Sequence, residues 1–159
     1  MRDEERSGIH ATTVQLNGRG IIIMGKSGAG KTELALTLIE RARLRGEKAA
    51  LVADDRTLLK VENDRLIASV PYAMAGGVEI RGAGLFCVPF VRSTTVDLAV
   101  ILVGSEQAER YPGGGTMTFL DIALPRLLLP ALSSNGDSNA LSRAIEAYLF
   151  YQPWSPKTA

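Results

Sequence analysis

The chain has 159 residues, 46% of them hydrophobic, with 18 basic and 17 acidic side chains and a formal net charge of +1. That length and composition suit one globular domain with a real core and exclude a disordered chain. Near-neutral charge gives no broad attraction to nucleic acid or to a membrane surface, and a single cysteine, Cys87, excludes an internal disulfide framework and a cysteine-based zinc cluster.

The N-terminal Met1–Arg6 is charged and lacks the apolar core of a signal peptide. No apolar run is long enough to span a bilayer, so the expectation is a soluble cytoplasmic domain over residues 1–159, with 1–8 as a frayed leader. His10 to Leu16 carry β-formers and meet Asn17-Gly18, a strong hairpin signal, before the apolar Gly20–Met24. An antiparallel hairpin here folds His10, the single histidine, back toward the end of the second strand.

Gly25-Lys26-Ser27-Gly28-Ala29-Gly30-Lys31-Thr32 follows that strand and fits the phosphate-loop pattern G-x-x-x-x-G-K-[ST] at every fixed position. Glycines let backbone N–H groups crowd around a triphosphate, and the helix opening at the loop adds its positive N-terminal end. Lys31 is placed to reach the outer phosphates, and the Thr32 hydroxyl to ligate the accompanying magnesium ion. The helix is expected to run to about Leu44 and stop at Gly46. Arg41, Arg43 and Arg45 in its last turn read as solvated, dipole-complementing residues.

Ala49–Ala53 is a short apolar strand ending in Asp54-Asp55. Acidic residues just past a strand in a phosphate-loop protein sit where the magnesium shell and the nucleophile are organised. One carboxylate would face the metal through water and the other would accept a proton from an attacking hydroxyl; an ordinary Asx turn explains the same residues without chemistry. Thr57–Val61 and Leu66–Val70 read as strands joined by Glu62-Asn63-Asp64-Arg65. In Val78-Glu79-Ile80-Arg81-Gly82-Ala83-Gly84 the charged pair shares one strand face, and the spacing alone leaves its role undecided.

Leu85–Val91 and Val96–Val103 read as further strands, the second central because it is almost wholly apolar. A polar loop over 106–115 contains Arg110. Two short strand-like runs, Leu120–Leu124 and Arg126–Leu132, are broken by Pro125, and a final helix covers roughly Asn139–Phe150. This order is strand-rich, unlike the alternating strands and helices common around phosphate loops.

His10, Gly25–Thr32, Leu51-Val52-Ala53-Asp54-Asp55 and Glu79-Ile80-Arg81-Gly82-Ala83-Gly84 together resemble the catalytic domain of HPr kinase/phosphorylase, over about residues 8–132. The resemblance implies an α/β fold: a mixed sheet around the phosphate loop, similar to the nucleotide domain of phosphoenolpyruvate carboxykinase, with few helices. It implies an ATP- and Mg2+-dependent kinase acting on a serine of the phosphocarrier HPr, in many members with reverse phosphorolysis, and a homo-oligomer, typically a hexamer.

Carried over by residue, His10 matches the family's active-site histidine, and Lys31 and Thr32 match its phosphate and magnesium contacts. Asp55 resembles the general base, Asp54 supports metal and histidine, and the two divide these roles loosely because adjacent carboxylates titrate as a pair. Glu79 resembles a second magnesium ligand, Arg81 joins the glycine loop in nucleotide contact, and Arg110 aligns with an arginine that steadies the transferring phosphoryl group.

Two departures stand out. The loop after the signature is short, Val88 running almost directly into Arg92-Ser93-Thr94, and the segment linked to dephosphorylation falls near 129–134, which has no lysine or arginine. Kinase transfer is the expectation and phosphorolysis an open question. A kinase with another acceptor, and an ATP-sensing module without turnover, are the alternatives.

Overall fold

The computed structural model describes residues 7–158. Strands β1 (Ser7–Ile9), β2 (Thr12–Leu16), β3 (Arg19–Met24), β4 (Ala49–Ala53), β5 (Thr57–Glu62), β6 (Arg65–Ser69), β9 (Ser93–Val103), β10 (Thr116–Phe119) and β11 (Ile122–Pro130) join in one mixed sheet. β7 (Gly77–Ile80) and β8 (Gly84–Cys87) form a separate antiparallel hairpin, and helices α1 (Lys31–Leu44) and α2 (Ser138–Phe150) complete the fold.

β9 is the central strand, as its apolar run predicts. It pairs in parallel with β3 on one side, while on the other it meets β6 antiparallel at its start and β11 in parallel at its end. Both faces are covered, which is why the run is continuous rather than alternating. Ile21, Ile23, Leu98 and Val100 pack under Leu34 and Leu38 of α1. Ile22 and Ala99 point the other way, to a second cluster with Leu59, Leu66, Phe119 and Leu124.

The turns follow local chemistry. Asn17 and Gly18 both take positive φ, 47° and 79°, as a two-residue turn between antiparallel strands requires. Asn63 and Asp64 do the same between β5 and β6.

Three expectations about the strands and the leader change. Of the leader assigned to 1–8, Ser7 and Gly8 are strand residues paired with β5, and residues 1–6 lie outside the described residues. Instead of two runs broken by Pro125, β11 is continuous. Pro125 sits where pairing passes from β10 to β9, so its missing N–H falls where one ladder ends and another begins. The strand expected over Leu85–Val91 is only Gly84–Cys87, because β8 pairs with β7 alone and leaves Leu85 82% exposed.

The last-turn arginines are not simply solvated. Glu146 on α2 is 3% exposed; Arg41 Nη2 lies 2.9 Å from its Oε1 and Arg45 Nη1 2.6 Å from its Oε2, clamping α1 to α2. A buried carboxylate needs such partners. Arg41→Ala is expected to lower stability by about 1–3 kcal/mol, read as a lower urea midpoint with an unchanged m-value.

Candidate active site

The glycine loop leaves the C-terminal end of β3 and enters α1 at Lys31. Gly30 caps the helix in a left-handed conformation, φ 101°, with no side-chain cap, so the first helical N–H groups stay open toward the cavity. The Ala29 carbonyl accepts from the Leu132 N–H at 2.9 Å, which fastens the loop to the chain just past β11.

Lys31 is only 6% exposed, and its Nζ donates to the carbonyls of Gly25 and Lys26 at 2.9 and 3.0 Å. Among the described residues no carboxylate pairs with it. A nearly buried ammonium held only by carbonyls, beside open helix N–H groups, is a receptor for an anion.

A cavity of about 420 Å3 opens here. The loop (Ser27, Gly28, Gly30) and the first turns of α1 (Lys31, Thr32, Glu33, Leu36) form one wall, Asp54 and Asp55 a second, and Glu79, Ile80 and Arg81 a third. Segments far apart in sequence therefore meet at one place.

The two aspartates have different surroundings. Asp54 is half-buried, and its Oδ1 accepts from Thr32 Oγ1 at 2.7 Å and from Thr12 Oγ1 at 3.1 Å. That fixes it beside the hydroxyl predicted to meet a metal. Asp55 is exposed, holds φ 64°, and its Oδ1 lies 3.2 Å from His10 Nδ1. His10 sits at the bend before β2, which the pairing of Thr12 with Ile23 brings to the end of β3, and it stands against Asp55 because β2 also lies beside β4.

Thr12 was not singled out in the sequence. Its hydroxyl is fully buried, donating to Asp54 and accepting the Asp55 N–H at 3.2 Å, so one side chain sets both aspartates. Nothing local marks this threonine, since the contact exists only because β2 pairs with β4.

Glu79 makes no ion pair among the described residues and faces the cavity. Arg110 is not on the cavity wall. It lies on the loop between β9 and β10 with its guanidinium 5.5 Å from the Tyr111 ring centroid. Among the described residues no group of three or more His, Cys, Asp or Glu side chains gathers closely enough to cage a metal. No helix there is long and apolar enough to cross a membrane.

Known proteins resemble this chain in both sequence and fold. The family described as HPr Serine kinase C-terminal domain matches residues 4–147. The HPr kinase/phosphorylase of Bacillus licheniformis is 37% identical over 134 residues, covering 77% of this chain and 41% of that protein. The one from Caldanaerobacter subterraneus subsp. tengcongensis is 34% identical over the same length, covering 77% and 42%. The chain thus spans well under half the length of these relatives. The structure of the Hpr(Ser) kinase/phosphatase from Coxiella burnetii superposes with a TM-score of 0.75 at 29% identity, covering 90% of this chain and 96% of that one. A matching fold, a cavity built from the signature segments and a family match across most of the residues lead to one assignment: this chain belongs to the HPr serine kinase C-terminal domain family.

Proposed function

We propose that the chain is a single catalytic unit that transfers the γ-phosphoryl group of ATP, with Mg2+, to a serine hydroxyl of HPr in the cytoplasm. The observation that carries this reading is the exposed Asp55 carboxylate, paired with His10 and sharing one cavity with the glycine loop. A nucleotide sensor has no need of such a base.

The residues fit the implied ligands. The Lys31 ammonium, which has no carboxylate partner among the described residues, and the open N–H groups of α1 suit the phosphates. Thr32 Oγ1 and Asp54 already touch, Glu79 faces them, and magnesium is commonly held by one or two carboxylates together with substrate phosphates rather than by a protein cage. When bound, the metal neutralises charge developing on the transferring group. Asp55 takes the serine proton as the serine oxygen bonds to the γ-phosphorus and the bond from phosphorus to the bridging oxygen breaks, releasing ADP. His10 holds the Asp55 carboxylate toward the acceptor, and Arg81 supports the phosphates from the third wall.

Arg110 would join only if its loop moved inward. The stretch over 129–134 packs beneath the glycine loop through Leu132 and carries no lysine or arginine, which favours the kinase direction over phosphorolysis. A homo-oligomer, a hexamer in this reading, is carried over from the family resemblance. Light scattering after gel filtration is expected to give a multiple of the chain mass, and a monomer at all concentrations would remove that part.

The test of function is incubation with labelled ATP, Mg2+ and HPr, which is expected to place label on a serine of HPr. ATP hydrolysis or transfer with HPr left unlabelled would redirect the proposal to another acceptor, and nucleotide binding without turnover would leave a sensor. Thr12→Val is expected to lower kcat about tenfold with little change in KM for ATP, because the Asp55 N–H is left unsatisfied and Asp54 loses a donor. Thr12→Ser is expected to restore the rate; equal loss in both variants would mean a packing role.

A further inference from the structure

A second groove, of about 610 Å3, lies at the far end of the central strand. It is bordered by Ser93–Thr95 at the start of β9, whereas the glycine loop follows Met24, which pairs with Ile101. Seven residues of strand separate those levels, roughly 23 Å. The groove is therefore a separate place, of a size suited to a small molecule.

Its lining is mostly polar and sets two cations, Arg92 and Lys60, against one carboxylate, Glu62. Arg92 stands at the edge with its guanidinium 5.0 Å from the Tyr72 ring centroid and 5.7 Å from that of Phe90. Among the described residues no carboxylate pairs with Arg92, so stacking fixes its plane while leaving its charge uncompensated. Lys60 adds a second cation, shared with Glu62 at 2.9 Å. Exposed Ser93 supplies a hydroxyl beside them, whereas buried Thr94 is spent within the fold, accepting from Gln15 Nε2 at 3.0 Å and donating to the Thr95 carbonyl at 3.1 Å. A planar guanidinium with free donors, a nearby ammonium and the Ser93 hydroxyl are the chemistry that holds an oxyanion.

The position of the groove gives it a consequence. β6 and β9 pair at Ser69 and Ser93, so residues 70–92 leave the sheet and return at one point, and the Val70 N–H donates to the Arg92 carbonyl at 3.3 Å across that base. This excursion carries the β7–β8 hairpin, whose Glu79, Ile80 and Arg81 form the third wall of the catalytic cavity. Arg92 stacks on Phe90, and Phe90 packs so closely on Gly76 that an added Cβ there would lie 2.6 Å from Cδ1 of the ring. Gly76 in turn precedes β7. Residues Pro89 and Val91 also bond the backbone of Leu51 at 3.1 and 2.9 Å, in the strand that ends at Asp54-Asp55. A lone two-stranded hairpin is marginally stable, so what holds its base affects how firmly its tip is placed.

We propose that the groove bounded by Arg92, Lys60 and Ser93–Thr95 binds a small oxyanion, a carboxylate or a phosphate, and that its occupancy steadies the β7–β8 hairpin and with it Glu79 and Arg81. The second half rests on the assignment of the cavity as the phosphotransfer site; binding in the groove does not.

Hydrogen exchange of the full chain tests both. Inorganic phosphate and succinate are titrated separately with the glycine loop saturated by Mg2+ and a non-hydrolysable ATP analogue, and again in Lys31→Ala without nucleotide, so that phosphate bound at the loop is not counted. The expected result is saturable protection of 70–92, including 77–87, by one of the two probes, and at least tenfold weaker in Arg92→Gln. Arg92→Lys, which keeps the charge but not the fork, is expected to fall between. Phosphate alone acting identifies a phosphate ligand, and succinate alone a carboxylate. No saturable protection by either probe, or equal protection in Arg92→Gln that is folded by circular dichroism, overturns the site. Protection confined to 69–72 and 91–95 overturns the coupling. Groove binding by the unaltered chain, together with no phosphorylation of HPr by that same chain, would sink the proposed function and leave the site standing.

Discussion

Asp55→Asn is expected to reduce phosphoryl transfer to HPr by roughly 10²- to 10⁴-fold, the usual scale for removing a positioned base, while ATP affinity changes little. The substitution is close to a pure test of chemistry. Asp55 sits at φ 64°, a conformation asparagine also tolerates, and its N–H bond to Thr12 Oγ1 is independent of the side chain. What disappears is the charge next to His10 Nδ1 and the capacity to accept a proton. Single-turnover transfer and equilibrium binding of an ATP analogue separate the outcomes. Unchanged transfer would remove Asp55 as the base, and lost nucleotide binding would move it to the metal.

Gly30→Ala is expected to weaken nucleotide binding at least tenfold and to cost about 1–3 kcal/mol of stability. Two effects combine. Gly30 holds φ 101°, which side chains rarely adopt, and an added Cβ would lie 2.5 Å from Cγ and Cδ1 of Leu132 and 2.8 Å from its Cβ. Leu132 is tied to the loop by its own N–H on the Ala29 carbonyl, so its Cβ cannot withdraw without straining that bond, although Cγ and Cδ1 can turn away. The double variant Gly30→Ala with Leu132→Ala removes Cγ and Cδ1 but neither the Cβ contact nor the backbone strain; partial recovery of the urea midpoint without recovery of binding is the expected result.

Gly28 supplies the comparison. It has φ 83° but nothing within 4 Å of an added Cβ, so Gly28→Ala is expected to cost only the strain, about 1 kcal/mol. Equal losses at Gly28 and Gly30 would reject the part assigned to Leu132.

Much of this was legible residue by residue. Asn17-Gly18 announced its turn, Gly25–Thr32 its loop and helix, and Ala49–Asp55 a strand ending in carboxylates, because each depends on propensities or spacings within a few residues. The same logic reached from the hairpin to His10, since strand pairing fixes register once the turn is known. It failed where a residue's role depends on a partner far along the chain. Arg41 and Arg45 carry nothing that names Glu146, over a hundred residues later, and the capping pattern they satisfy also fits a solvated end.

The sequence by itself determined the phosphate loop, the central apolar strand, the acidic pair and, through the spacing of its signature segments, the family. Only the tertiary structure decided which residues share a cavity: Glu79 and Arg81 on its wall, Arg110 away from it, Thr12 holding both aspartates and Leu132 beneath Gly30. The physical reason is range. Turn geometry, periodicity and glycine freedom are settled by neighbours in the chain, whereas these contacts exist only after β2, β4, β9 and β11 have taken their places in one sheet.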